Sequence, residues 1–162
     1  MSDQMNIIIR KGCKEDLPAV LNLIKELAVF EKAPDEVAVS LAEMQNWGFG
    51  AEALYEFFVA EVEQQVVGMA LAYYKYSTWK GKCLFLDDII VTEAFRGKGI
   101  GKLLFREIAL LAKAKKVRRL EWQVLDWNSN AIEFYKSYNA VLDNEWINCK
   151  LTESQINLFP DN

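Results

Sequence analysis

Apolar positions recur along this chain with two different periods. Leu17, Val20, Leu21, Ile24, Leu27 and Ala28 return every three or four residues, which sets one apolar face on a helix. That spacing predicts a helix from about Cys13, with Asp16 in its first turn and Pro18 early enough to be tolerated. Ala33-Pro34-Asp35 ends it. A shorter helix is expected over Leu41 to Trp47, stopping at Gly48, and a short opening strand at Ile7 to Ile9. From Glu56 the period changes. FFVAEV (57–62), VVGMALAYYKY (66–76) and CLFLDDIIV (83–91) read as three strands in a row, joined at Glu63-Gln64-Gln65 and STWKGK, an antiparallel meander. A helix from about Gly99 to Lys115 follows, with Ile100, Leu103, Leu104, Ile108 and Leu111 on its buried side. LEWQVL (120–125) reads as another strand, Ser129 to Tyr138 as a helix, and Val141 with Trp146 to Leu151 as a closing strand pair. With no repeat, low-complexity tract or linker, residues 1–162 read as a single α/β (α+β) domain.

Composition removes whole classes of chemistry. At 162 residues, 52% hydrophobic and 26% charged, the chain has the make-up of an ordinary globular protein. A net charge of −4 gives nucleic acid no hold on it. No apolar run approaches a bilayer span, so no membrane partner is expected. MSDQMNIIIRKG has no basic stretch leading into a long apolar one, so no secretory signal is expected. Cys13, Cys83 and Cys149 are scattered, which argues against a disulfide framework or a zinc site and fits a reducing cytoplasm. There is no histidine, so Ser-His-Asp and Cys-His catalysis and His-based zinc sites are excluded together. Proton transfer falls to Asp, Glu, Tyr, Lys or Cys.

The densest local signal is FRGKGIGKLLF, residues 95–105. A Walker loop needs G-x-x-x-x-G-K-[ST], but Leu103 follows Gly101-Lys102 and Arg96 stands five before Gly101. A dinucleotide fingerprint needs a third glycine where Lys102 stands. R-x-x-G-x-G fits Arg96-Gly97-Lys98-Gly99-Ile100-Gly101 at every position. A strand ends at Val91 and a helix begins among the glycines, so its first amides lack intrahelical partners and carry partial positive charge. Glycine lets an anion approach them, and Arg96, Lys98 and Lys102 add charge. Glycine within a helical turn costs about 1 kcal/mol against alanine, a cost that a diphosphate site would explain.

R-x-x-G-x-G after a strand, with W-N-x-x-A-I-x-F-Y in the next βα unit, resembles the GNAT superfamily of acyl-CoA-dependent N-acetyltransferases. LIKELAVFEK (23–32), NWGFG (46–50), VAEV (59–62), STWKGK (77–82), LDDIIV (86–91) and VLDWN-x-x-AIEFY (124–135) are together similar to the diamine acetyltransferases. STWKGK and VLDWN look more like the type 2, thialysine-associated branch than the spermidine/spermine branch. The resemblance implies a GNAT fold, a mixed, mostly antiparallel twisted sheet of about six to seven strands flanked by about four helices.

It also implies roles. Acetyl-CoA would lie in a V-shaped opening beside the strand 84–91, its pantetheine pairing with the backbone of Ile89, Ile90 and Val91. The pyrophosphate would sit on Arg96, Gly97, Lys98, Gly99, Ile100, Gly101 and Lys102. Asn128 would touch the CoA arm, or simply cap the helix at Ser129; both are compatible. Tyr135 matches the tyrosine near the thioester sulfur and would protonate the leaving thiolate, with its ring also in the helix's apolar stripe. Asp87 stands where the family has a Glu proposed as general base. Asp88 and Glu31 match acids at the amine site, and Trp79 would cover the alkyl chain of the amine. Adjacent strand residues point to opposite faces, so at least one of Asp87 and Asp88 is expected to face the interior, where an unused charge is costly. Salt bridges to nearby Lys or Arg are the alternative.

Phe30 and Ser77 replace a Tyr and an Asp of the polyamine branch, and Asn139 replaces a Gly after the last helix, a position that Asn tolerates. The expected activity is direct acetyl transfer from acetyl-CoA to a primary amine of a small cationic acceptor, diamine-like or thialysine-like, in a ternary complex, without metal. Competing expectations are a protein or peptide lysine or N-terminal acetyltransferase and a non-catalytic acyl-CoA sensor. The resemblance further implies a homodimer.

Overall fold

The structure is a computed structural model that describes residues 5–160. The first four residues of the MSDQMNIIIRKG stretch and the last two of the chain lie outside the described residues. The chain divides into two compact units, one ending at Gln123 and the other beginning at Val124.

The first unit is built on a sheet. β1 (Ile7–Lys11), β2 (Tyr55–Val62), β3 (Gln65–Ser77), β4 (Gly81–Val91) and β5 (Leu120–Glu121) lie side by side in chain order. The first four pair antiparallel, and β5 runs parallel to β4. The meander follows from short turns. Glu63 and Gln64 both take positive φ between β2 and β3, and Gly81 does so after the 77–80 turn.

α1 (Leu17–Phe30) starts after a 3-10 turn at Lys14–Asp16, with Pro18 in the first turn where its missing N–H costs nothing. α2 (Leu41–Phe49) is fixed by a reciprocal cap. The Glu43 amide donates to Ser40 Oγ at 3.2 Å, and the Ser40 amide donates to Glu43 Oε2 at 2.8 Å. At its other end α2 runs past Gly48, the expected stop, to Phe49, where the Gly50 amide donates to the Asn46 carbonyl and closes the last turn. Leu17, Val20 and Leu23 of α1 and Met44 of α2 pack on Phe57, Val59, Met69, Leu71 and Ile90 to form one core. α3 (Ile100–Ala114) covers the other face with Ile100, Leu104 and Ile108. Gly68, beside Met69 in β3, has Leu104 next to its Cβ position.

The second unit holds α4 (Ser129–Lys136) and α5 (Glu153–Asn157). The sheet has five strands among the described residues, fewer than the six to seven expected. β5 stops at Glu121, and Trp122 turns onto Phe105 at 5.4 Å between ring centroids. The closing strand pair does not form: Val141 and Ile147 are 92% and 87% exposed, and no described strand pairs with them. Alternating apolar residues make a strand only when a neighbour completes the ladder. An Asx turn, in which the Glu145 amide donates to Asp143 Oδ1 at 3.0 Å, breaks the run between them.

Candidate active site

β4 carries a one-residue insertion at its chemical centre. Leu71 of β3 pairs with Asp88 and Ala72 with Leu86, so Asp87 has no partner across the ladder. Leu71 belongs to the α1-side core and Ala72 faces the other way, which puts Asp88 on the α1 side and Leu86 opposite. The bulge resets the alternation. Asp88, on the α1 side, is the more enclosed of the two, in line with the expectation that at least one aspartate faces an interior surface, and Asp87 at the bulge is the more open.

Their electrostatics are shared. Burial, with the negative charges of Asp87 and Glu31 added, pushes the Asp88 carboxyl from the usual 3.8 up to about 7. Burial also raises Asp87 and Glu31 above the usual carboxylate range. Burial followed by the charge of Asp87 raises Tyr73, which lies on the Leu71 side of β3. None of the three acids forms a salt bridge among the described residues, so the alternative of a structural ion pair does not hold. An acidic cluster without a counter-cation among the described residues, with Asp88 its half-buried member, is suited to a cationic group.

On its other side β4 is nearly bare of strand partners. The ladder with β5 covers only Leu84 with Leu120 and Phe85 with Glu121. From Leu86 to Val91, Ile89 and Ile90 included, no described strand lies on that side, so backbone groups there suit an amide-bearing ligand.

After Val91 the backbone turns through a 3-10 turn at Glu93–Phe95 and reaches Gly97 and Gly99 at φ 74° and 80°. A Cβ at either glycine would be strained, although no atom lies within 4 Å of its position. Gly99 is the N-cap of α3, so the amides from Ile100 onward begin beside it, with Gly101 and Lys102 in the first turn. Lys98 and Lys102 are exposed. This open, cationic helix start fits a diphosphate.

Arg96 is already occupied. Its Nε donates to the Val91 carbonyl at 2.8 Å, its Nη2 lies 3.4 Å from Glu26 Oε1, and its guanidinium stacks 5.3 Å from the Phe30 centroid. Sequence reasoning passed over Glu26. The available signal was its position three residues from Leu23 and four from Phe30 on the apolar stripe, an unusual place for a carboxylate.

The β3–β4 turn presents Trp79, 78% exposed. Ser77 Oγ accepts the Trp79 and Lys80 amides, both at 3.2 Å, so that hydroxyl is spent on the turn. In the second unit, Asn128 Oδ1 accepts the Ala131 amide at 3.2 Å, the expected N-cap of α4. Tyr135 is buried at 6% exposure, and its ring meets Phe134 edge-on at 5.2 Å. Burial pushes its phenol up to about 12, so it carries its proton at neutral pH. Asn139 takes φ 58°, as expected for its replacement of glycine. Among the described residues no cluster could hold a metal ion, and no helix is long and apolar enough to cross a membrane.

Comparison with known proteins bears on this arrangement. The model of the acetyltransferase (GNAT) family matches residues 17–139. The thialysine N-epsilon-acetyltransferase of Bos taurus is 39% identical over 142 residues, covering 83% of this chain and 84% of that protein. An integron cassette protein from V. cholerae has a TM-score of 0.76 at 25% identity, covering 94% of this chain and 96% of that one. An aminoglycoside N-acetyltransferase solved in complex with CoA has a TM-score of 0.73 at 18% identity, covering 93% and 98%, a likeness of fold.

Proposed function

The chain belongs to the acetyltransferase (GNAT) family and is an acetyl-CoA-dependent N-acetyltransferase, and from that premise we propose that its acceptor is the side-chain amine of a small cationic amino acid of the thialysine type. The observation that carries this reading is the bulge in β4, which brings Asp87 and Asp88 together without a counter-cation, with Glu31 near enough to act on Asp88. A protonated amine supplies the missing positive charge. The bovine relative's name, thialysine N-epsilon-acetyltransferase, points to the same acceptor class.

Ser77 and Phe30 support the choice over a polyamine. The Ser77 hydroxyl is held by its own turn, and Phe30 packs on Arg96, so neither offers a polar contact to a long polyamine.

Acetyl-CoA, when bound, supplies an activated acetyl thioester. The residues present fit its two polar stretches: Ile89, Ile90 and Val91 would hold the pantetheine, and the backbone of residues 97–101 with Lys98 and Lys102 would hold the diphosphate. Asn128 would add a contact to the CoA arm. Asp88 and Glu31 bind and orient the ammonium group of the acceptor, and Trp79 covers its alkyl stem. Asp87, its affinity for a proton raised by burial, accepts the proton the amine must lose before it can attack. Tyr135, protonated at neutral pH, supplies a proton to the departing sulfur and is restored by the second proton that the attacking nitrogen sheds as the amide forms. In this reading both units serve one catalytic domain, transfer is direct within a ternary complex, and the enzyme is a cytoplasmic homodimer.

Steady-state kinetics with thialysine, lysine, linear diamines, spermidine and a lysine-containing peptide test the proposal. Thialysine-type acceptors are expected to give the highest kcat/KM. Preference for the peptide overturns it in favour of a protein acetyltransferase, and turnover with none of them in favour of a sensor.

A further inference from the structure

We propose that Glu26 is a positioning residue for the diphosphate loop, an inference that rests on the reading of residues 97–101 as that loop. Glu26 reaches from α1 to three groups that precede the glycines. Its Oε2 accepts the Thr92 hydroxyl at 2.8 Å, and its Oε1 accepts the Glu93 amide at 3.0 Å. The same Oε1 takes the Arg96 guanidinium at 3.4 Å. Arg96 is then fixed from two more directions, by the Val91 carbonyl and by the Phe30 ring one helical turn beyond Glu26. One carboxylate therefore ties α1, the end of β4 and the turn leading into the loop.

Two consequences follow from this geometry. Beyond Arg96, Gly97 and Gly99 have no atom within 4 Å of their Cβ positions, and Lys98 between them rests its ammonium 4.8 Å from the centroid of the neighbouring Phe95 ring. Glycine has the most backbone freedom to lose on ordering, and anchoring the segment before it lowers the entropy a ligand must remove. The positive charge of Arg96 is meanwhile compensated by Glu26, which leaves Lys98 and Lys102 as the cations of the loop and makes Arg96 a brace. A carboxylate that served only the stability of the turn would have no bearing on which acyl donor the enzyme prefers.

Acetyl-CoA and S-acetylpantetheine carry the same thioester, but only the first has the diphosphate and the 3′-phosphoadenosine beyond it, so the pair separates the nucleotide end of the donor, the end that the loop would hold, from the thioester. Glu26→Ala is expected to raise the KM for acetyl-CoA about tenfold, the effect of losing charge-assisted hydrogen bonds, with kcat and the amine KM within about twofold. Turnover of S-acetylpantetheine should change by less than about twofold. Hydrogen exchange of the 92–101 amides in the ligand-free variant should quicken. Glu26→Gln, which keeps an oxygen acceptor and the length of the side chain, should recover part of the acetyl-CoA KM, and it stands in should the alanine variant not fold. Equal losses with both donors, unchanged exchange, or tighter acetyl-CoA binding by an unbraced Arg96 each overturn the proposal. Calorimetry with CoA separates the two levels. Heat from the wild type with an unaltered variant removes the role of Glu26 alone, and no heat from the wild type removes the loop assignment and this inference with it.

Discussion

Asp88 sits opposite Leu71 in the β3–β4 ladder, although plain alternation from Leu86 opposite Ala72 would put Asp87 there. The inserted residue leaves Asp87 without a cross-strand partner and sets Asp88 on the α1 side, where burial and then the charges of Asp87 and Glu31 push its carboxyl up to about 7. Below that pH it is mostly protonated and offers a cation no charge. The KM for a cationic acceptor is therefore expected to fall as pH rises through about 7. Asp88→Asn should raise that KM about tenfold and flatten its pH dependence, and an unaltered KM in steady-state assays would refute amine recognition there.

The same carboxyl has a signature in folding. Its pKa is raised in the folded state, so the native protein holds the proton more tightly than the unfolded chain does. The stability this contributes is complete below the unfolded value near 3.8 and is lost as pH rises through about 7. Asp88→Asn should remove that slope, as read from urea midpoints measured between pH 5 and 8. A bound acceptor should restore stability to the wild type in the upper part of this range.

Asp16 behaves in the opposite sense. Arg10 holds it with two hydrogen bonds of 2.7 and 2.8 Å, and the Cys13 amide adds a third at 2.8 Å. The Arg10 hydrogen bonds outweigh burial and lower the Asp16 carboxyl from 3.8 to about 2. A depressed folded pKa contributes stability above the unfolded value that is lost as pH falls through about 2. At neutral pH this amounts to about 2 kcal/mol, so Asp16→Asn should lower Tm by roughly 5 °C in calorimetry, with little change in KM.

Tyr135 offers a separation of chemistry from binding. Tyr135→Phe keeps the ring against Phe134 and removes only the hydroxyl. Loss of a general acid should lower kcat by about a hundredfold or more, with CoA affinity by calorimetry little changed. Unchanged turnover would leave Tyr135 a packing residue.

Gly99 and Gly101 distinguish backbone strain from ligand approach. Gly99 sits at φ 80°, so Gly99→Ala should cost about 1–2 kcal/mol of stability. Gly101 has ordinary helical φ, and its nearest neighbour to an added Cβ is Val91 at 4.0 Å. Gly101→Ala should therefore raise Tm slightly, since alanine favours the helix by about 1 kcal/mol. If that glycine exists to admit the diphosphate, the same variant raises the KM for acetyl-CoA; a higher Tm with an unchanged KM would argue against it.

The legible parts of this fold were those whose signals are local. Helical spacing of apolar residues marked α1 and α3, and β-branched runs with short turns marked β2 to β4. R-x-x-G-x-G located the loop because glycines at a helix start let an anion approach free amides, and of the two motif glycines Gly99 takes positive φ. What could not be read depends on partners distant in sequence. The bulge at Asp87 arises from the register with β3, and no periodicity in LDDIIV announces it. Val141 and Trp146 to Leu151 have strand-like alternation, but a ladder needs a neighbour the pattern cannot specify. α5 was overlooked although Thr152 and Gln155 form a capping box that the sequence displays. The clamp on Arg96 joins residues 70 apart, and no local pattern announces that its guanidinium meets Glu26.

The short ladder between β4 and β5 has a consequence for solubility. A strand edge left without its neighbour is a template on which another polypeptide can add, the first step of aggregation. The segment from Leu86 to Val91 would be a strong candidate but for two acids in its middle, and charged residues along an edge oppose such addition. Neutralising Asp87 and Asp88 at once is therefore expected to leave a protein that clumps on concentration.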